Sequence, residues 1–179
     1  MRWRCRERVF DLQERVLVMG VLNVTPDSFS DGGRYFEPAA AIEHGRKLLE
    51  EGADLLDVGG ESTRPGSSPV PPEEQWRRVE PVVARLAGEG ACVSIDTSSP
   101  QVAERAIAAG AQVVNDITAL GDPAMGPLAA RTGVGLILMH MQGTPATMQL
   151  DPRYGEVVAE VSGALAERRQ TARRAGVAD

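Results

Sequence analysis

The chain has 179 residues and a mass of 19.1 kDa, a size for one domain, and its 42 % hydrophobic and 25 % charged residues are those of an ordinary globular protein. With 19 Lys and Arg against 25 Asp and Glu the net charge is −6, which argues against a general nucleic-acid binder, because phosphate neutralisation needs clustered cations. The apolar runs fall short of the roughly 20 residues of a membrane span, the charged start MRWRCRERVF has no apolar segment behind it, and Cys5 and Cys92 are too isolated for a disulfide framework or a zinc site; a reducing, cytoplasmic setting is expected, with no membrane partner.

Five short aliphatic runs follow one another, at residues 16–22, 55–58, 92–95, 113–114 and 136–139. They are not alternating, as expected for strands buried on both faces of a parallel sheet. Helical periodicity separates them. Trp76, Val79, Val83 and Leu86 recur at spacings of three and four, and Tyr154, Val158, Val161 and Leu165 predict a second apolar stripe. That last segment carries Glu156 and Glu160 early and Arg168, Arg169, Arg173 and Arg174 late, in the order the helix dipole favours. Gly52, Gly90, Gly110 and Gly133 stand where each helix gives way to the next strand.

Strand–helix units repeated five times predict an α/β fold with parallel strands and right-handed crossovers. An open doubly wound sheet would announce a nucleotide with a Gly-rich first turn, and neither G-x-G-x-x-G nor G-x-x-x-x-G-K-[ST] occurs. A (β/α)8 TIM barrel instead places polar groups just past several strands. Asn23 follows the first run, Glu61, Ser62 and Thr63 the second, Asp96 and Thr97 the third, Asn115 and Asp116 the fourth, and His140 the fifth. Eight units take about 250 residues, so residues 1–179 are expected to form a single partial barrel domain of about five units, its C-terminal units missing.

Asp96 and Asn115 are expected to point into the mouth of the barrel. A carboxylate accepting two parallel hydrogen bonds, beside an amide, suits a flat heterocycle with an amino group next to a ring N–H. The competing role for Asp96 is a helix N-cap, which Ser99 before Pro100 fills better; that for Asn115 is a turn residue. Residues 25–33 and 61–69 form two small, polar loops suited to excluding water, and Arg64 beside hydroxyls suits an anion. Asn23 offers a neutral oxygen suited to one contact to Mg2+. His140 reads as a hydrogen-bonded wall residue more than as a base, and Met139, Met141 and Met148 as core packing.

Four segments resemble the dihydropteroate synthase family: MGVLNVTPDSFSDGG (19–33), LLDVGGESTRPGS (55–67), VSIDT with VVNDIT (93–97 and 113–118), and LMHMQGTPATMQ (138–149). The resemblance implies a pterin-binding barrel in which 4-aminobenzoate displaces diphosphate from (7,8-dihydropterin-6-yl)methyl diphosphate in folate biosynthesis. It implies pterin diphosphate contacts from Thr63, Asp96 and Asn115, and a 4-aminobenzoate site, also open to sulfonamides, from Asp27, Ser28, Phe29, Ser62, Arg64 and Pro65. It further implies Mg2+ on Asn23, and Asp27 as a catalytic group steadying positive charge at the reacting methylene. Family members also carry an Asp-Pro-Gly-x-Gly-Phe-Gly-Lys segment, a Ser-Arg-Lys segment and a late Arg-x-His, none of which occurs in these 179 residues. The homodimer formed through the family's last helices, and activity of this chain alone, are therefore not expected. A pterin or folate module of corrinoid-dependent methyl transfer shares the barrel and the Asp/Asn pair, but has no need of the TPDSFSDGG and ESTRPG loops; an inactive synthase fragment is the other alternative.

Overall fold

The structure is a computed structural model and describes residues 2–25, 38–61 and 69–178. It opens with an antiparallel hairpin, β1 (Arg2–Cys5) and β2 (Arg8–Asp11), turned at Arg6 with φ 58°. Five parallel strands follow: β3 (Met19–Asn23), β4 (Leu55–Gly59), β5 (Val93–Asp96), β6 (Val113–Asp116) and β7 (Gly135–Leu138). Helices α1 (Pro38–Glu50), α2 (Pro72–Gly88), α3 (Pro100–Ala108) and α4 (Met125–Thr132) connect them, and α5 (Val157–Arg174) comes last.

Strand order decides between the two architectures. A doubly wound sheet reverses at a switch point, whereas here each strand pairs with the next in sequence, β3-β4-β5-β6-β7. The helices therefore wind on one side only, as in a barrel wall. Leu22, Leu56, Val58, Val93, Ile95 and Val114 face those helices and meet Val79, Val83, Leu86, Val102 and Ala106. The packing is close enough that a Cβ on Gly45 would lie 2.9 Å from Leu86 Cδ1.

Side chains at alternate positions face the other way, into the concave side. At its lower end Leu55, Cys92 and Val113 pack with Met19 and are covered by Trp3, Cys5 and Phe10 of the hairpin. Both cysteines are free and buried, and burial pushes the Cys5 thiol up to about 12, so neither is a nucleophile at neutral pH.

Helix ends follow their sequence signals. Ser99 Oγ accepts from Val102 N at 3.4 Å and Pro100 opens α3, while Gly133 closes α4 in the left-handed region (φ 66°). Bidentate ion pairs link neighbouring helices, Arg46 to Glu89 just past α2 and Arg105 of α3 to Glu73 of α2. Being exposed, each contributes little to stability.

Three expectations change. The N-terminal hairpin was not foreseen. The first strand begins at Met19, and Val16 and Val18 before it are exposed. The stripe expected on the last helix is not a buried face: Tyr154 precedes α5, Val158 is 76 % exposed, and the helix joins the core through Ala172 near its end. Among the described residues β7 is the last strand, so the start of α5 has no sheet to cover. Replacing Leu56, fully buried between β3 and the helices, tests the outer core: Leu56→Ala is expected to cost about 2–5 kcal/mol, read as a lower urea midpoint at unchanged slope.

Candidate active site at the carboxyl ends of the strands

Strand register builds the site. Asn23 pairs with Gly59, Gly59 with Asp96, and Asp96 with Asn115, so these positions form one row across four strands. Its alternation with the helix-facing residues turns the row to the concave side, at the carboxyl end where barrel enzymes place their chemistry. Asp96 and Asn115 are thus neighbours on one face, both half-buried. Gly59 leaves the space beside them open: a Cβ there would lie 3.3 Å from Asp96 Oδ2.

One step below lies a second row, Val21, Asp57, Ser94 and Val113. Asp57 and Ser94 are buried, and Asn115 Nδ2 donates to Asp57 Oδ2 at 2.8 Å. Asp57 Oδ1 and Ser94 Oγ are each buried without a hydrogen-bond partner. Burial pushes the Asp57 carboxyl above the ordinary range, while the nearby Ser94 hydroxyl and the Asn115 amide pull it down. Asp96 shifts further. Burial first, then the carboxylates of Asp57, Glu61 and Asp116, push it up to about 7. A group so placed gains from N–H donors brought in by a ligand.

Other acidic tips hold the frame. Asp116 Oδ1 accepts from Thr118 N and Oγ1 at 2.9 and 2.7 Å, and Oδ2 from Leu120 N at 2.8 Å. These bonds fix a turn in which Ala119 and Leu120 take φ of 50° and 67°. Glu61 accepts from Val70 N at 3.0 Å and from Gln75 Nε2 at 2.9 Å, and Gln75 Oε1 accepts from Thr97 Oγ1 at 3.0 Å. This buried tie joins the end of β4, the start of α2 and the residue next to Asp96.

His140 Nε2 lies 3.1 Å from Tyr154 Oη, the arrangement of a wall residue. Met139 and Met141 belong to neither core cluster; with Ile117, His140 and Leu165 they line a cavity of about 300 Å3, which corrects the expectation of core packing. A larger groove, about 810 Å3, runs along β7 past Leu136, Leu138 and Val177, away from the polar row. Asp27, Ser28, Phe29, Ser62, Thr63, Arg64 and Pro65 lie outside the described residues. Sequence reasoning missed Asp57 and Ser94. Their signal was a polar residue inside an apolar run at even spacing from the strand tip, Asp57 before Gly59 and Ser94 before Asp96.

Residues 19–179 match the family described as pterin binding enzyme. The dihydropteroate synthase of Neisseria meningitidis serogroup B is 50 % identical over 164 residues, which are 90 % of this chain and 58 % of that protein. This chain therefore spans little more than half the length of such a relative. The structure of the Xanthomonas albilineans dihydropteroate synthase with 4-aminobenzoic acid superposes with a TM-score of 0.88 at 48 % identity, over 99 % of this chain and 63 % of that one. The Yersinia pestis dihydropteroate synthase in a sulfonamide drug complex gives 0.90 at 42 % identity, over 99 % and 65 %.

The raised Asp96 carboxyl has a measurable consequence. Below about pH 4 it is protonated folded or unfolded, and above about 7 it is charged in both; between, only the unfolded chain has lost the proton. Stability therefore falls as pH rises through that window. Urea midpoints at pH 4, 5.5 and 7.5 are expected to show Asp96→Asn gaining on the wild type across it; parallel midpoints would contradict the burial of this charge.

Proposed function

We propose that this chain, which belongs to the pterin-binding enzyme family, carries the pterin-gripping face of a dihydropteroate synthase acting in folate biosynthesis. The observation that carries the reading is the row of Asn23, Gly59, Asp96 and Asn115. Asp96 accepts two adjacent N–H groups from the amino-bearing edge of the ring, Asn115 takes a third contact, and Gly59 gives the ring room beside them. The raised Asp96 carboxyl favours this donor-rich edge over an anion.

With the ring held, the amine nitrogen of 4-aminobenzoate bonds to the exocyclic methylene as the bond to the diphosphate oxygen breaks. Diphosphate leaves with the bonding electrons, and the amine proton passes to solvent. An aromatic amine is already a neutral nucleophile, so the protein acts by positioning and electrostatics rather than by a strong base. In this reading Asp27 steadies positive charge on the methylene, with Ser28 and Phe29 beside it. Thr63 holds the pterin diphosphate, while Ser62, Arg64 and Pro65 shape the aminobenzoate site. Both groups follow strands whose ends lie at the polar row.

Asn23 suits one ligand position of a Mg2+ ion: its amide is exposed at the end of β3, and no described residue is hydrogen-bonded to it. Among the described residues no group of three or more His, Cys, Asp or Glu could hold a metal, and diphosphate oxygens and water are the ligands we propose beside Asn23. When bound, such an ion would supply positive charge to offset the negative charge developing on the leaving oxygens. The partners in this reading are the two small molecules. No described helix is long and apolar enough to cross a membrane.

Calorimetric titration tests the assignment. Asp96→Ala is expected to lower affinity for the pterin about a hundredfold, the scale of two charge-assisted hydrogen bonds, while affinity for 4-aminobenzoate stays as in the wild type. Equal losses for the two ligands would overturn it.

A further inference from the structure

The reaction steps above leave Asp57 without a task, although it is an acid only 4 % exposed in the middle of a strand. Burying a carboxylate is costly, and among the described residues the one well-aligned hydrogen bond to this carboxylate comes from Asn115 Nδ2 at 2.8 Å. Its second oxygen and the neighbouring Ser94 Oγ make no well-aligned hydrogen bond, and the pull of that hydroxyl on the carboxyl is smaller than the effect of burial. An apolar side chain of similar size would serve the fold at least as well. Within the functional reading above, on which this inference rests, we propose that Asp57 is a positioning residue: it fixes which way round the Asn115 side-chain amide faces, and so makes Asn115 an acceptor towards the bound ring.

The chemistry is one of donors and acceptors. An ionised carboxylate only accepts, so it can pair with the NH2 of Asn115 and not with its carbonyl oxygen. With the NH2 tied to the floor, Asn115 Oδ1 accepts no hydrogen bond from the described residues and is not among the buried unpaired atoms. It is left to the mouth, beside Asp96 in the same row. Two acceptors side by side match a ring edge that presents an amino group next to a ring N–H. An edge with a carbonyl in place of the amino group would meet an oxygen with an oxygen. Ser94 is a hydroxyl and imposes no direction of its own, which leaves Asp57 as the orienting group. The other carboxyls gathered here, Asp96 on β5, Glu61 after β4 and Asp116 on β6, are not bonded to the Asn115 amide.

Two pteridine probes of the same size test this on the full chain: pterin, and lumazine, in which a carbonyl replaces the 2-amino group. The wild type is expected to prefer pterin. In Asp57→Asn the introduced amide can accept or donate, so it no longer dictates how Asn115 turns, and the pterin-to-lumazine affinity ratio is expected to fall about tenfold. The double variant Asp57→Asn/Asn115→Asp is expected to restore the ratio, because an amide now donates to a carboxylate and an acceptor again faces the mouth. A purely structural role would weaken both probes together; an unchanged ratio in Asp57→Asn overturns the proposal. NMR of the wild type decides the point even if Asp57→Asn does not fold. The Asn115 NH2 signals, assigned by their loss in Asn115→Asp, are expected to include one proton protected from solvent exchange, and two freely exchanging protons would refute the orientation. If the wild type binds neither probe, the functional reading fails, while the NMR result still judges the Asp57–Asn115 pair.

Discussion

The molecule depends on a division of labour between the two faces of one parallel sheet. Helices on a single side claim every second side chain for an apolar core, as with Leu56, Val58, Val93 and Ile95. The residues between them must then face the concave side together. Parallel pairing with each strand beside its chain neighbour keeps these inward positions in rows, and a row has one height above the floor. Asn23, Asp96 and Asn115 come from three segments far apart in the chain, yet register alone sets them at one level.

The concave side changes character with height. Met19, Leu55 and Cys92 are apolar at the bottom, Asp57 and Ser94 lie one level up beside Val113, and Asp96 and Asn115 are polar at the mouth. Burial first, and then the carboxyls gathered around it, set the Asp96 carboxyl so far from its ordinary range. The acids with full sets of partners, Glu61 and Asp116, hold turns and loop bases instead. A count of acidic strand tips would not separate the two kinds; their hydrogen bonds do.

Much of this was legible in the chain itself. Period and Gly-led restarts located the strands, Ser99 before Pro100 marked the helix cap and left Asp96 free of that role, and the four motif segments pointed to the family the comparisons bear out. What periodicity does not carry is what lies opposite a stripe. The residues 154–165 had the right spacing for a buried helix face, but burial also needs a surface to pack against, and α5 meets one only near Ala172. The hairpin was hidden because Arg2, Arg4, Arg6 and Arg8 dominate its composition while Trp3, Cys5 and Phe10 carry its packing. Asp57 was hidden by treating each apolar run as uniform, when its two faces answer to different surroundings.

The contact beneath Gly135 has a further effect. A side chain there would lie 2.5 Å from Cys5 Sγ and 2.9 Å from the Trp3 ring, so the hairpin is pressed directly onto strand backbone. That seals the lower end of the concave side with sulfur and indole rather than water. Solvent is thereby kept from the apolar floor beneath Asp57 and Ser94, both of which are themselves buried. The hairpin gives the hollow an apolar floor, with the polar residues of the strands standing above it.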